Sequence, residues 1–206
     1  MLSRKNWEKY LKLEVNPIIR LLILSDFAIF YGFGLINPIF AVFLNNQIRG
    51  GNLEVIGFAS TIYLVTKSLG QIPVAEVVDR LKGEEDDFWL MVIGTFAFSL
   101  VPILYLFART PLHIYLIQFF NGVMTAFTFP SWMAIFTRHI DKNMEGLEWG
   151  IYYTLTDLGG AAAAGLGGFL AQNYGFQNVF VLTAIFSLVG SFFLLLTKKY
   201  LFIDKF

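Results

Sequence analysis

The chain has 206 residues and a formal net charge of zero, with 56% hydrophobic, 17% aromatic and only 15% charged residues, against about 25% charged in soluble domains. The absence of cysteine excludes disulfides and thiolate-held metals. Its two histidines, His113 and His139, flank a single apolar stretch and cannot meet at a metal, so no metal, no cofactor and no nucleic-acid partner is expected.

Residues 1–17 set Arg4, Lys5, Lys9 and Lys12 among Trp7, Tyr10, Leu11 and Leu13. They read either as a basic flank that anchors orientation or as an amphipathic helix lying on the membrane surface. A membrane span takes roughly 20 apolar residues to cross about 30 Å of hydrocarbon. Six windows meet that length, at about 18–44, 54–78, 88–108, 112–137, 149–172 and 178–197. The first is too long for a signal peptide and lacks a small-residue cleavage site, so the start is expected to stay uncleaved. It carries Arg20, Asp26, Gly32, Gly34 and Asn37-Pro38. The second holds Lys67 near its middle and runs into Asp79-Arg80. The fourth contains Gln118, Asn121 and Thr125, and the fifth contains Asp157 among Gly150, Gly159, Gly167 and Gly168. The third and sixth windows hold no charged residue.

Windows of this length exceed barrel strands, and backbone groups in lipid must bond within their own span, so an all-α membrane bundle of six transmembrane helices is expected. Twelve of the fifteen Lys and Arg fall on one side, before or just inside the start of the first window and after the second, fourth and sixth. Only Arg49 and Arg109 fall opposite. The positive-inside bias then puts both termini in the cytoplasm, with the chain multi-pass in the cell membrane. The tail ending at Phe206, just past Lys198-Lys199, carries no sign of a following domain.

The whole chain reads as one domain built of two three-helix repeats, 18–108 and 112–197. Pro38 matches Pro130, Gly57 matches Gly150, and Phe98-Ser99-Leu100-Val101 recurs as Phe186-Ser187-Leu188-Val189. An odd number of spans per repeat inverts the second copy, and inverted repeats are a transporter signature with the binding site near midplane. Helical rise puts Asp26 roughly 12 Å, Lys67 roughly 18 Å and Asp157 roughly 12 to 15 Å from one face. A charge at that depth costs at least about 2.5–3.5 kcal/mol, so pairing or a wet cavity is expected. Substrate or ion coupling is therefore assigned to Asp26, Lys67 and Asp157, with Lys67 expected beside one of the carboxylates. Asn37, Gln118, Asn121, Thr125 and Thr156 are polar enough to bind solute or to bridge helices. Tyr31, Tyr63, Tyr152, Tyr153 and Trp132 fit stacking on a ligand, although membrane aromatics more often face lipid or an interface.

These residues resemble the N-terminal six-helix half of the major facilitator superfamily. Asp26, Gly32, Gly34 and Asn37-Pro38 look like that family's opening helix, and Asp79-Arg80-Leu81-Lys82-Gly83 is similar to its loop signature of glycine, three residues, Asp-Arg, one residue, glycine and basic residues. Ala75 stands at the leading glycine, Gly83 comes one residue late, and Glu84, Glu85, Asp86 and Asp87 replace the basic run. In the fifth window Gly150, Gly159, Ala163-Ala164 and Gly167-Gly168 follow the spacing of the family's antiporter motif, with Ala-Ala at its Gly-Pro. Gln118 stands where the family often has arginine. The resemblance implies half of a major facilitator fold and a secondary transporter of a small molecule or ion, working by alternating access, with proton-coupled antiport as one mode. It implies a gating role for Asp79 and Arg80 and close packing at Gly150, Gly159, Gly167 and Gly168.

Family members usually have twelve spans, so a second copy of this chain is expected to cover the polar face from the bilayer. One member of a split pair or a piece of a longer chain fits the same residues. So does a non-transporting scaffold or channel subunit. An enzyme is not expected, because a serine protease needs its nucleophile and histidine base at one depth.

Overall fold

The structure, a computed structural model, describes residues 15–80 and 83–203. The basic flank up to residue 14, Leu81-Lys82 of the signature loop and the last three residues lie outside it. Asn16 opens the first span. Its Oδ1 accepts the Ile18 N–H at 2.9 Å, and Pro17 follows at the first helical position, where its missing N–H costs nothing. The span runs as α1 (Pro17–Ile36), a 3-10 turn (Asn37–Ile39) and α2 (Phe40–Gln47). Pro38 makes the step, since it cannot donate to the ladder.

Asn52 caps α3 (Leu53–Arg80) through the Val55 N–H at 2.9 Å. The third span is α4 (Glu85–Phe98) and α5 (Val101–Phe107), interrupted just before Pro102. The fourth is α6 (Pro111–His139), the fifth α7 (Glu145–Tyr174), and the sixth α8 (Phe176–Lys198) with a terminal π-turn (Lys199–Ile203). Gly175 separates the last two with φ +84°, a conformation that glycine adopts without steric cost.

All six expected spans are helical, and no strand occurs among the described residues. Five of the six have the length and apolarity to cross a membrane. The exception, α7, is 30 residues long but holds Glu145, Glu148, Asp157, Gln172 and Asn173 among its glycines and alanines. The proposed repeat partners differ locally: Pro38 breaks its span whereas Pro130 sits inside an unbroken α6, and Ser99 lies at the α4–α5 break whereas Ser187 lies inside α8.

The helices interlock across the midpoint of the chain. The first span packs mainly on the fifth and sixth, and the fourth packs on the second and third. Small residues bring the first seam close. A Cβ on Gly34 would sit 2.9 Å from the Ala163 Cβ and 3.1 Å from the Gly160 Cα, and one on Gly167 would overlap the Leu35 carbonyl. Thr183 Oγ1 donates to the Gly32 carbonyl at 2.8 Å. Gly159 also faces α1, against Phe27, whereas a Cβ on Gly150 or Gly168 would meet nothing within 4 Å.

Two apolar clusters fill the bundle. One surrounds Ile19, Phe88, Phe136 and Leu201 at the end that holds the start of α1 and the finish of α8, here the terminal end. The other surrounds Leu35, Phe43, Ile114 and Phe180 at the opposite end. Asp26 and Lys67 lie between them.

Candidate functional site

A cavity of about 230 Å³ opens between the clusters, lined by α1, α3, α4, α6 and α7. From α1 come Asp26, Phe30 and Phe33, from α3 Tyr63 and Lys67, and from α4 Thr95 and Phe98. Thr125, Thr128, Phe129 and Trp132 on α6 and Tyr152 on α7 close it. Asp26 and Lys67, 41 positions apart in the sequence, thus share one chamber.

They do not pair. The Tyr152 hydroxyl donates to Asp26 Oδ2 at 2.9 Å. Lys67 Nζ lies over the Phe129 ring, 5.1 Å from its centroid, and makes no ion pair among those of the described residues. The carboxylate expected beside the lysine is replaced by a ring face, a weaker partner worth about 0.5–2 kcal/mol. Thr95, Thr125 and Thr128 spend their protons on the carbonyls of Met91, Asn121 and Met124 one turn back, at 2.7 to 2.8 Å. Phe33 and Phe98 stack with centroids 4.5 Å apart.

The remaining expected residues lie elsewhere. Asp157 is exposed on α7 and Asn37 is exposed at the break after α1; neither lines the cavity. Gln118 and Asn121 bond to each other at 3.4 Å one turn or more beyond Thr125, and Asn121 Oδ1 is buried without a donor. Asp79 is exposed at the terminal end of α3, where it borders a groove of about 760 Å³ between α3 and α6. Its neighbour Arg80 pairs with Glu76 one turn back on the same helix.

The terminal end also holds an ionic cluster that sequence reading missed. Arg138, at the end of α6, pairs with fully buried Asp87 at the start of α4, and His139 Nδ1 lies 3.6 Å from Glu84. Two members of the acidic run that stood in place of basic residues, Glu84 and Asp87, thus meet His139 and Arg138 of the fourth span. Glu148, in the first turn of α7 before its apolar window begins, is fully buried and accepts the Asp141 N–H at 3.3 Å. Phe33, Phe98, Thr128 and Phe129 were also missed at the cavity. Only their depth, shared with Asp26 and Lys67, could have flagged them. No grouping of residues that could hold a metal occurs among the described residues.

A sequence profile of the Major Facilitator Superfamily matches residues 22–203. An uncharacterized MFS-type transporter of Methanocaldococcus jannaschii is 28% identical over 82% of this chain and 42% of its own length. Multidrug resistance protein MdtG of Klebsiella pneumoniae is 22% identical over 89% of the chain and 44% of its own length. The crystal structure of the POT family transporter PepTSo superposes with a TM-score of 0.70 at 16% identity, covering 89% of this chain and 38% of that one; at that identity the likeness is one of fold. The chain therefore belongs to the major facilitator superfamily and spans somewhat less than half the length of these relatives.

Proposed function

With that membership as premise, we propose that this chain is one six-helix half of a secondary transporter for small solutes, working by alternating access around the chamber that Asp26 and Lys67 share. The chamber itself carries the reading, because ionisable groups at membrane depth are costly and serve binding or coupling by default. A second copy of the chain, facing α3 and α7, completes the pathway. Leu69 and Ile72 on α3 are 73% and 77% exposed and Leu158 on α7 is 65% exposed, a face that an opposing bundle would cover. Both termini lie in the cytoplasm. Asp26, the one carboxylate lining the chamber, is the ion-coupling group, and Lys67 receives solute. The antiporter-like spacing of small residues on α7 supports exchange of solute for protons. Asp79 stands at the groove where the opposing half would dock, and with its neighbour Arg80 it gates the terminal side.

Single cysteines at Leu69 or Leu158, in copies reconstituted into nanodiscs, are expected to crosslink between chains. Proteoliposomes are expected to show counterflow that saturates with solute. A strictly monomeric protein whose flux rises linearly with solute would reject this reading in favour of a channel or scaffold.

A further inference from the structure

The chamber holds a lysine without a counter-ion and a buried indole N–H without an acceptor, and from these we propose that the solute is a small amphipathic organic monoanion, such as an aromatic carboxylate, with Lys67 as its counter-ion. The inference rests on the chamber being the solute site. Two donors there lack an acceptor. The Lys67 ammonium has only a ring face, and the indole Nε1 of Trp132, itself 4% exposed, is buried and unpartnered. An indole N–H can only donate and an ammonium has no lone pair, so neither need is met by a cation. Leaving a buried donor unpaired is costly, which makes an incoming acceptor the group the site rewards.

The acceptor side is partly served: Asp26 Oδ2 takes the Tyr152 proton, and the three threonines are committed as donors to their own helices. A cationic solute would meet a carboxylate that already holds one hydrogen bond and a like-charged lysine. An anion meets an ammonium without a counter-ion and the indole N–H, while Asp26 in the same lining limits it to a single negative charge. The stacked Phe33 and Phe98 and the ring of Phe129 offer flat apolar walls for the rest of the molecule. At about 230 Å³ the chamber is smaller than the roughly 300 Å³ at which ligand pockets usually begin, so the solute is small.

The test is titration of the full chain in nanodiscs, with empty nanodiscs subtracted, using 2-naphthoate, 2-naphthylmethylammonium and 2-naphthylmethanol, which share a ring system and differ in charge. 2-Naphthoate should bind saturably and at least about tenfold more tightly than the ammonium. Lys67→Met should lose about tenfold or more for 2-naphthoate and little for the alcohol, Lys67→Arg should restore most of the loss, and Trp132→Phe should weaken 2-naphthoate by a smaller factor. Stronger binding of the ammonium, abolished by Asp26→Asn, overturns the anion proposal and leaves the chamber as the solute site. Saturable binding of none of the three also overturns it, and the counterflow assay then decides the wider reading separately. Should Lys67→Met fail to fold, the charge series on the unaltered chain still decides between anion and cation.

Discussion

The terminal end of the bundle and the chamber at its middle treat cations in opposite ways. Near the terminal end, Arg138 has Asp87 and His139 lies beside Glu84, so the arginine contributed by α6 meets a carboxylate at the start of the third span. In the chamber, Lys67 has the face of Phe129 and no carboxylate, although Asp26 lines the same space. The chain therefore has acidic residues to spare and gathers them where two helices must hold together. Buried charges are normally neutralised, so a lysine left without a counter-ion at membrane depth marks a place where the missing partner comes from outside.

Breaking the terminal cluster should have the largest effect. Arg138→Ala strands the buried Asp87 carboxylate, and although the Arg138 side chain is itself 36% exposed, leaving a buried polar group unpaired costs about 1–3 kcal/mol. A marked fall in the thermal midpoint of the detergent-solubilised protein is expected. An unchanged midpoint would mean that the pair contributes nothing and that the two regions do not differ.

A second effect comes from Glu148, whose carboxyl burial pushes up from 4.5 to about 7, with the Asp141 N–H holding it back in part. The folded chain keeps this proton more tightly than the unfolded chain does. The stability it confers is therefore fully present below pH 4.5 and is lost as pH rises through about 7. Glu148→Gln should flatten that decline. If the slope persists in the variant, the titrating group lies elsewhere.

Lys67→Met should change stability least, by less than about 1 kcal/mol, because a single cation–π contact is all that is lost and an ammonium at membrane depth is itself unfavourable. The variant is expected to stay folded by size-exclusion chromatography while losing solute counterflow. A large drop in stability would show that Lys67 has a structural partner, and the contrast between the two regions would vanish.

Much of the architecture was legible along the chain. Runs of apolar residues marked six spans, and the helices begin and end within a few residues of the expected windows, because crossing hydrocarbon demands a length that sequence alone displays. The depth of Asp26 and Lys67 followed from counting residues, and both line one chamber.

Rotation and partnership were not legible. Asp157, at the depth expected of a site residue, is exposed, and a Cβ on Gly150 or Gly168 would meet open space while Gly159 and Gly167 press on α1. The acidic run from Glu84 to Asp87 read as a departure from the family's loop, yet Glu84 and Asp87 meet His139 and Arg138 from the fourth span. Hydropathy and charge belong to positions in the chain, and they determined what crosses the membrane and how deep each group lies. Which groups meet depends on how each helix turns about its axis against neighbours more than a hundred residues away, as Tyr152 meets Asp26. Only the packed bundle decided that Asp26 is bonded and Lys67 is not.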